Sequence, residues 1–268
     1  MNLPRLALAL ALSLTPSLAQ SPSPSLTPDQ QKLFKDAQAD FQTQKFADAL
    51  QKFQTLHVQL PDDPLYPKYA AEAAVNTEDF AAAKQLLQPI LASDPDDPQA
   101  LGIMAHTYAQ EHNSAQRDAV LAHMQQLYTT GKLPMKSMIV EKSKLPSGGS
   151  MNIFYYFEPW SMYKITLMAR FFDPQGKQTY RVTLESLDID QMGYAKEHPK
   201  EAAAGGRRYS FDGYADSVTA DGKPTQTQAL YGFVDANPSY DEFRERALSI
   251  GAGHASASAT TTVSRPTK

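Results

Sequence analysis

One tetrapeptide sets the frame for this chain: Pro61-Asp62-Asp63-Pro64 returns unchanged as Pro95-Asp96-Asp97-Pro98, 34 residues later. At the same interval Phe46-Ala47 returns as Phe80-Ala81 and Ala49 as Ala83, while Ala37, Ala71 and Ala105 carry the step through three copies. A fixed period of this length means that one small supersecondary unit is stacked on copies of itself. Such a unit cannot bury its apolar face alone, so neighbours must cover it. The array opens at Thr27-Pro28-Asp29-Gln30, where a hydroxyl cap, a first-turn proline and a glutamine able to bond back to the cap predict a helix start.

A 34-residue period with small residues where two helices touch and proline after the second helix resembles the tetratricopeptide repeat, over about residues 28 to 130. Ala37, Ala71 and Ala105 match the small residue of the family's first helix, and Ala49 and Ala83 that of the second. Phe53 and Leu87, followed by Leu56 and Ile90 one turn on, match the apolar residues that fill the next contact. The Asp-Pro pairs at 63 to 64 and 97 to 98 match a cap and a first-turn proline. Some positions depart from the pattern. The large residue early in the first helix is Leu33 and Leu101 but Pro67 in the middle copy, and the later aromatic occurs only as Tyr108. Arg117 stands where the third copy should have its second-helix alanine, which predicts that this helix has slipped. Its apolar residues Val120, Leu121, Met124, Leu127 and Tyr128 still recur at helical spacing, and Gly131 can close it. Two sound units and a worn third are marginal in isolation, so another part of the chain is expected to cover the end.

The resemblance implies a concave groove lined by the first helix of each unit. Carried over, its wall is Gln31, Phe34, Gln38 and Phe41 from the first unit, Lys68, Glu72, Val75 and Asn76 from the second, and His106, Ala109 and Gln110 from the third. Only Lys68 is basic, whereas gripping an acidic peptide terminus takes several cationic groups. A neutral peptide or helix is the expected ligand, held by Phe34 and Phe41 with glutamines supplying hydrogen bonds. The competing expectation is that the second half of the chain docks into this groove.

Before the repeats, MNLPRLALALALSLTPSLAQ has one charge at Arg5, a nine-residue run from Leu6 to Leu14, Pro16, and small residues at Ser17 and Ala19. This reads as a secretory signal at 1–19, cleaved after Ala19, followed by a Ser/Pro linker at 20–27. The run is well short of the ~20 apolar residues that span a bilayer, so no stable membrane span is expected after cleavage. A periplasmic or secreted product follows. The 268 residues carry 25 Lys and Arg against 29 Asp and Glu, a net charge of −4, and no basic block favours nucleic acid as partner. Absence of cysteine excludes disulfides, thiolate metal sites and a lipid-bearing cysteine.

Past Gly131 the period changes to two. Tyr163, Ile165, Leu167, Ala169 and Phe171 alternate with Lys164, Thr166, Met168, Arg170 and Phe172. Asp173-Pro174-Gln175-Gly176 then turns the chain into a strand from Thr179 to Leu187, a β-hairpin. Further strands are expected at 152–157, 208–214 and 229–234. Ser239 and Glu242 form a second capping box for a helix ending at Gly251. The fold class is therefore α+β: an α-solenoid at 28–132, then an antiparallel β-rich domain with a C-terminal helix at 135–253, and a disordered tail at 254–268.

Little in the chain points to chemistry. There is no H-E-x-x-H, G-x-S-x-G, phosphate loop or dinucleotide fingerprint, so no cofactor and no enzymatic role are expected. The weaker alternative is a secreted hydrolase using the 188–206 loop, where Asp188, Asp190, Glu197 and His198 supply an acid/base set. Another alternative rests on the aromatics Phe154, Tyr155, Tyr156, Phe157, Trp160 and Tyr163. From these, Tyr155, Tyr156 and Trp160 could offer a platform to sugar rings or to a partner. The competing reading packs them into the sheet core, with Trp160 exposure deciding. The main expectation is an exported, non-enzymatic scaffold whose groove receives another envelope or secreted protein.

Overall fold

The computed structural model describes residues 26–161, 164–188, 207–218, 224–234 and 236–255. The secretory-signal reading, most of the linker, the 189–206 loop with Asp190, Glu197 and His198, Tyr163, and the tail from 256 lie outside the described residues. Six helices come first: α1 (Pro28–Gln42), α2 (Phe46–Gln59), α3 (Leu65–Asn76), α4 (Phe80–Ser93), α5 (Pro98–Gln110) and α6 (Ser114–Thr129). They form three hairpins. Thr27 and Gln30 make the expected capping box on α1, and Asp97 caps α5 by accepting from the Ala100 N–H at 2.7 Å. In the middle unit the cap differs: α3 starts one residue later, and Asp63 accepts from the Leu65 N–H outside the helix.

The turn inside each hairpin is the same object three times. Gln44, Glu78 and His112, 34 residues apart, adopt φ of 62°, 63° and 56°. Each turns the chain into the left-handed region so that the next N–H reaches back to close the preceding helix: Lys45 to Asp40, Asp79 to Ala74, Asn113 to Tyr108. The second helices start at 46, 80 and 114, so the expected slip of the third does not occur. It keeps register because the turn and its cap, Asn113 accepting from the Gln116 N–H, are intact. Ala37, Ala49, Ala71, Ala83 and Ala105 are all fully buried. Gly131, at φ 74°, closes α6 with Lys132 N–H bonded to the Leu127 carbonyl.

The second half is a six-stranded antiparallel meander, β1 (Ser137–Lys144), β2 (Ser150–Trp160), β3 (Ile165–Phe172), β4 (Gln178–Asp188), β5 (Arg207–Val218) and β6 (Pro224–Val234), paired in chain order. The helix α7 (Tyr240–Ala255) follows. One sheet face carries Met151, Ile153, Phe157, Leu167, Ala169, Phe171, Tyr180, Val182, Leu184 and Phe211. It packs on Leu121, Met124 and Leu127 of α6 and on Tyr240, Phe243, Ala247 and Ile250 of α7, in one continuous core. Gly251 does not end α7 as expected. It lies inside the helix, where a β-carbon would fall 2.2 Å from the Phe171 ring, so glycine is there to let helix and sheet approach. Residues 254 and 255, expected in the tail, belong to this helix.

Arg117 explains how the end of the array is covered. It is 1% exposed, pairs with Asp241 at 2.7 Å and Asp118 at 2.8 Å, and stacks 3.9 Å over the Tyr240 ring. The charged head therefore binds α7 across the gap where an alanine would leave repeat against repeat. Beside it, the Nε of Arg244 bonds both oxygens of buried Glu141 at 2.8 and 2.9 Å, and the Tyr240 hydroxyl donates to the same carboxylate.

Candidate functional site

The residues carried over to the groove occupy two environments. In the first unit Gln31 is exposed, and Gln38 is half-buried. Phe34 is half-buried and set edge-on to Phe53 and Tyr66 at 6.2 and 5.9 Å, with Tyr69 also 5.9 Å away. It is packed against the interior of the first two units and keeps part of its surface exposed. Phe41 likewise meets Phe46 edge-on at 5.2 Å. In the second unit Lys68 is buried and paired with Asp97 at 2.5 Å. The one basic residue of the carried-over wall is thus neutralised by the cap of α5. Val75 is buried, and Asn76 donates to the Glu72 carbonyl at 2.7 Å.

The third-unit end is filled by the chain itself. β1 runs against α5: Met138 reaches the bare face of Gly102, 3.5 Å from where a β-carbon would stand, and Gln110 Nε2 donates to the Lys142 carbonyl at 2.5 Å. The Lys142 ammonium crosses to Glu72 at 3.2 Å, and His106 Nδ1 lies 3.7 Å from the same carboxylate oxygen. Burial pushes the Glu72 carboxyl up, but hydrogen bonding and charge from His106 and Lys142 outweigh it and hold it at about 2. His106 and Ala109 are buried here. The structure therefore brings Glu72, His106 and Gln110 together around Lys142 as an internal contact, and leaves Gln31, Gln38 and part each of Phe34 and Phe41 toward solvent. For the third unit, docking by the β-rich half prevails.

The aromatic set divides by strand alternation. Tyr155 faces the core side beside Phe157, ring centroids 5.2 Å apart, and burial raises its phenol. Tyr156 stacks with Trp160 on the other side at 6.4 Å and 27° between planes. Trp160 is 47% exposed, so two of the three platform residues form a surface and the third does not.

The other sheet face holds a polar network that sequence reasoning missed. Glu185 accepts from the Tyr214 hydroxyl at 2.7 Å and from Thr183 at 3.1 Å. Asp212 accepts from Ser210 at 2.7 Å and from Gln228 at 3.1 Å. Both carboxylates are buried, and burial, reinforced by Asp212, raises Glu185 against its hydrogen bonds. The signal was present as acids and hydroxyls at alternate positions of β4 and β5, but only the strand register shows that they converge. Of the hydrolase set, the backbone of Asp188 ends β4. Among the described residues no group of three or more His, Asp and Glu could hold a metal ion, and no helix is long and apolar enough to cross a membrane.

A tetratricopeptide-repeat family model matches residues 40–106. Among solved structures, the tetratricopeptide-repeat domain of Sgt2 from Aspergillus fumigatus is similar at 15% identity, covering 40% of this chain and 71% of that one with a TM-score of 0.36. No curated protein matches. The N-terminal part of the chain is a tetratricopeptide-repeat array, followed by an antiparallel sheet and a helix.

Proposed function

We propose that this array serves an exported, non-enzymatic scaffold, which receives a neutral segment of another envelope or secreted protein on the first- and second-unit part of its concave face. The observation that carries this reading is the division of the groove. Its third-unit end is occupied by β1, whose Lys142 pairs with Glu72, and Lys68 is paired with Asp97. What stays toward solvent is glutamine and aromatic edge, which suits hydrogen bonding and apolar contact with an uncharged ligand. Export rests on the reading of residues 1–19 as a secretory signal. The test is capture of partners from the native envelope by the full chain, compared with Gln38→Arg and Trp160→Ala. A partner that is lost with Gln38→Arg and kept with Trp160→Ala supports the groove. Identical capture by all three chains removes it.

A second reading is favoured by one observation, the exposed stack of Trp160 on Tyr156. Such a pair offers a flat apolar surface with a polar rim to a sugar ring. Titration with soluble cell-wall and plant polysaccharides should quench the indole fluorescence, which reports this one site because Trp160 is the sole tryptophan. An unchanged spectrum eliminates it.

A further inference from the structure

Arg170 is a cation held without an anion. Its neighbours on β3, Ala169 and Phe171, point into the core, so Arg170 stands on the opposite face of the sheet, the one that carries Tyr156. There its Cζ lies 4.6 Å from the centroid of the Phe154 ring, and its Nε donates to the Met168 sulfur at 3.3 Å. A thioether is a weak acceptor. No carboxylate among the described residues pairs with this half-buried guanidinium.

The strand register sharpens the contrast. Arg170 is directly opposite Arg181 on β4 and Asn152 on β2, and like charges directly opposite are destabilising. The two heads turn apart, Arg170 over Phe154 of β2 and Arg181 over Tyr214 of β5. Arg181 has an oxygen acceptor in Gln226 Oε1 at 3.0 Å and a nearby carboxylate in Glu185, whose ionised form it favours. Among the described residues Arg170 has neither, and half-buried Asn152, with an amide able to donate, stands next to it in the register.

The same sulfur links this cation to the aromatic pair: the Tyr156 hydroxyl donates to Met168 Sδ at 3.7 Å, and Trp160 stacks on Tyr156. We propose that this face binds an acidic sugar: one ring lies on Trp160 and Tyr156, and the carboxylate of a uronic acid unit, in that ring or the next, accepts from the Arg170 guanidinium. This rests on the sugar reading of Trp160 and Tyr156 and adds the charge of the ligand. A guanidinium set over an aromatic ring leaves its terminal N–H groups for an acceptor in its own plane, and they form a fork matched to two carboxylate oxygens. The surroundings tell against other anions. In a chain of net charge −4 a dense polyanion is repelled by the rest of the surface. An acidic oligosaccharide combines a ring face for the stack with sparse charge for one arginine.

The test titrates the full chain with oligogalacturonate and with the same oligomer fully methyl-esterified, which keeps the rings and removes the charge. Fluorescence of the sole tryptophan, Trp160, reports both. The acid form should bind about tenfold more tightly, and its advantage should shrink as salt rises. Arg170→Gln, with circular dichroism and melting transition kept, should bind both forms alike. If that variant fails to fold, the comparison of the two oligomers and its salt dependence decide alone. Equal binding of the two forms by the unaltered chain overturns the acidic-sugar assignment while leaving the aromatic platform. Quenching by neither form removes platform and assignment together. An advantage of the acid form that survives Arg170→Gln overturns the assignment too, as does an equal response to polyglutamate or dextran sulfate, since the face would then read charge without the uronate.

Discussion

Arg117 is the residue at which the repeat pattern fails and the molecule is joined. Replacing it with alanine would restore the residue used at Ala49 and Ala83, yet the change should destabilise the chain. It strands Asp241 at the interface, uncovers the Tyr240 ring and leaves a cavity the size of a guanidinium. A loss of about 3 kcal/mol is expected, read by urea unfolding. Ala71→Glu tests the opposite kind of site. Ala71 has no exposed surface, and a carboxylate there meets a helix contact without room or partner, so the cost should exceed ~3 kcal/mol. Unchanged thermal unfolding would argue against the tight helix contact. The alanines were legible in the sequence because they keep the 34-residue period and match the small residues that the tetratricopeptide repeat places where its helices touch. Arg117 was legible as an anomaly, but its meaning was not, since Asp241 lies 124 positions away and no local pattern links them. Gly251 misled for a related reason. Glycine near a helix end reads as a stop, and only the Phe171 ring beneath it shows that it allows close packing.

At the scale of elements, β1 was the strand that sequence reading missed. Its register shifts between Ile139 and Glu141, so Val140 and Glu141 are buried side by side and the alternation that revealed β3 and β4 is broken. The bulge is also what presents Glu141 to Arg244 and Tyr240. β1 then enters the groove, and the contact it makes there depends on acid. The Glu72 carboxyl falls from its ordinary 4.5 to about 2 in the folded chain. The unfolded state therefore binds this proton first as pH drops. The stabilisation is complete above the unfolded value, and it is lost between about 4.5 and 2. It amounts to on the order of 2 kcal/mol, since each pKa unit is worth ~1.4 kcal/mol and Glu72 is partly screened by solvent. Acid titration of stability should become shallower over that window in Glu72→Gln and in Lys142→Met. An identical slope in both variants would mean that the clasp does not contribute.

For the whole molecule, the repeats and the sheet share one core, which joins Leu121, Met124 and Leu127 to Phe157, Tyr240 and Phe243. A fragment ending at residue 132 loses that cover, and it also loses the ion pair of Arg117. It should melt broadly and bind hydrophobic dyes, whereas the full chain should unfold in one cooperative transition. A sharp, reversible melt of the fragment would refute the capping role of the second half. The meander also bears on the order of assembly. Every strand pairs with its neighbour in sequence, so the sheet can zip as the chain arrives, and the longest loop closures include two ion pairs. Those bonds, Arg117 to Asp241 and Glu141 to Arg244, span 124 and 103 positions, and both await α7. In a polypeptide delivered amino end first, the solenoid stands unsealed until the final helix appears, and maturation ends with the click of one latch.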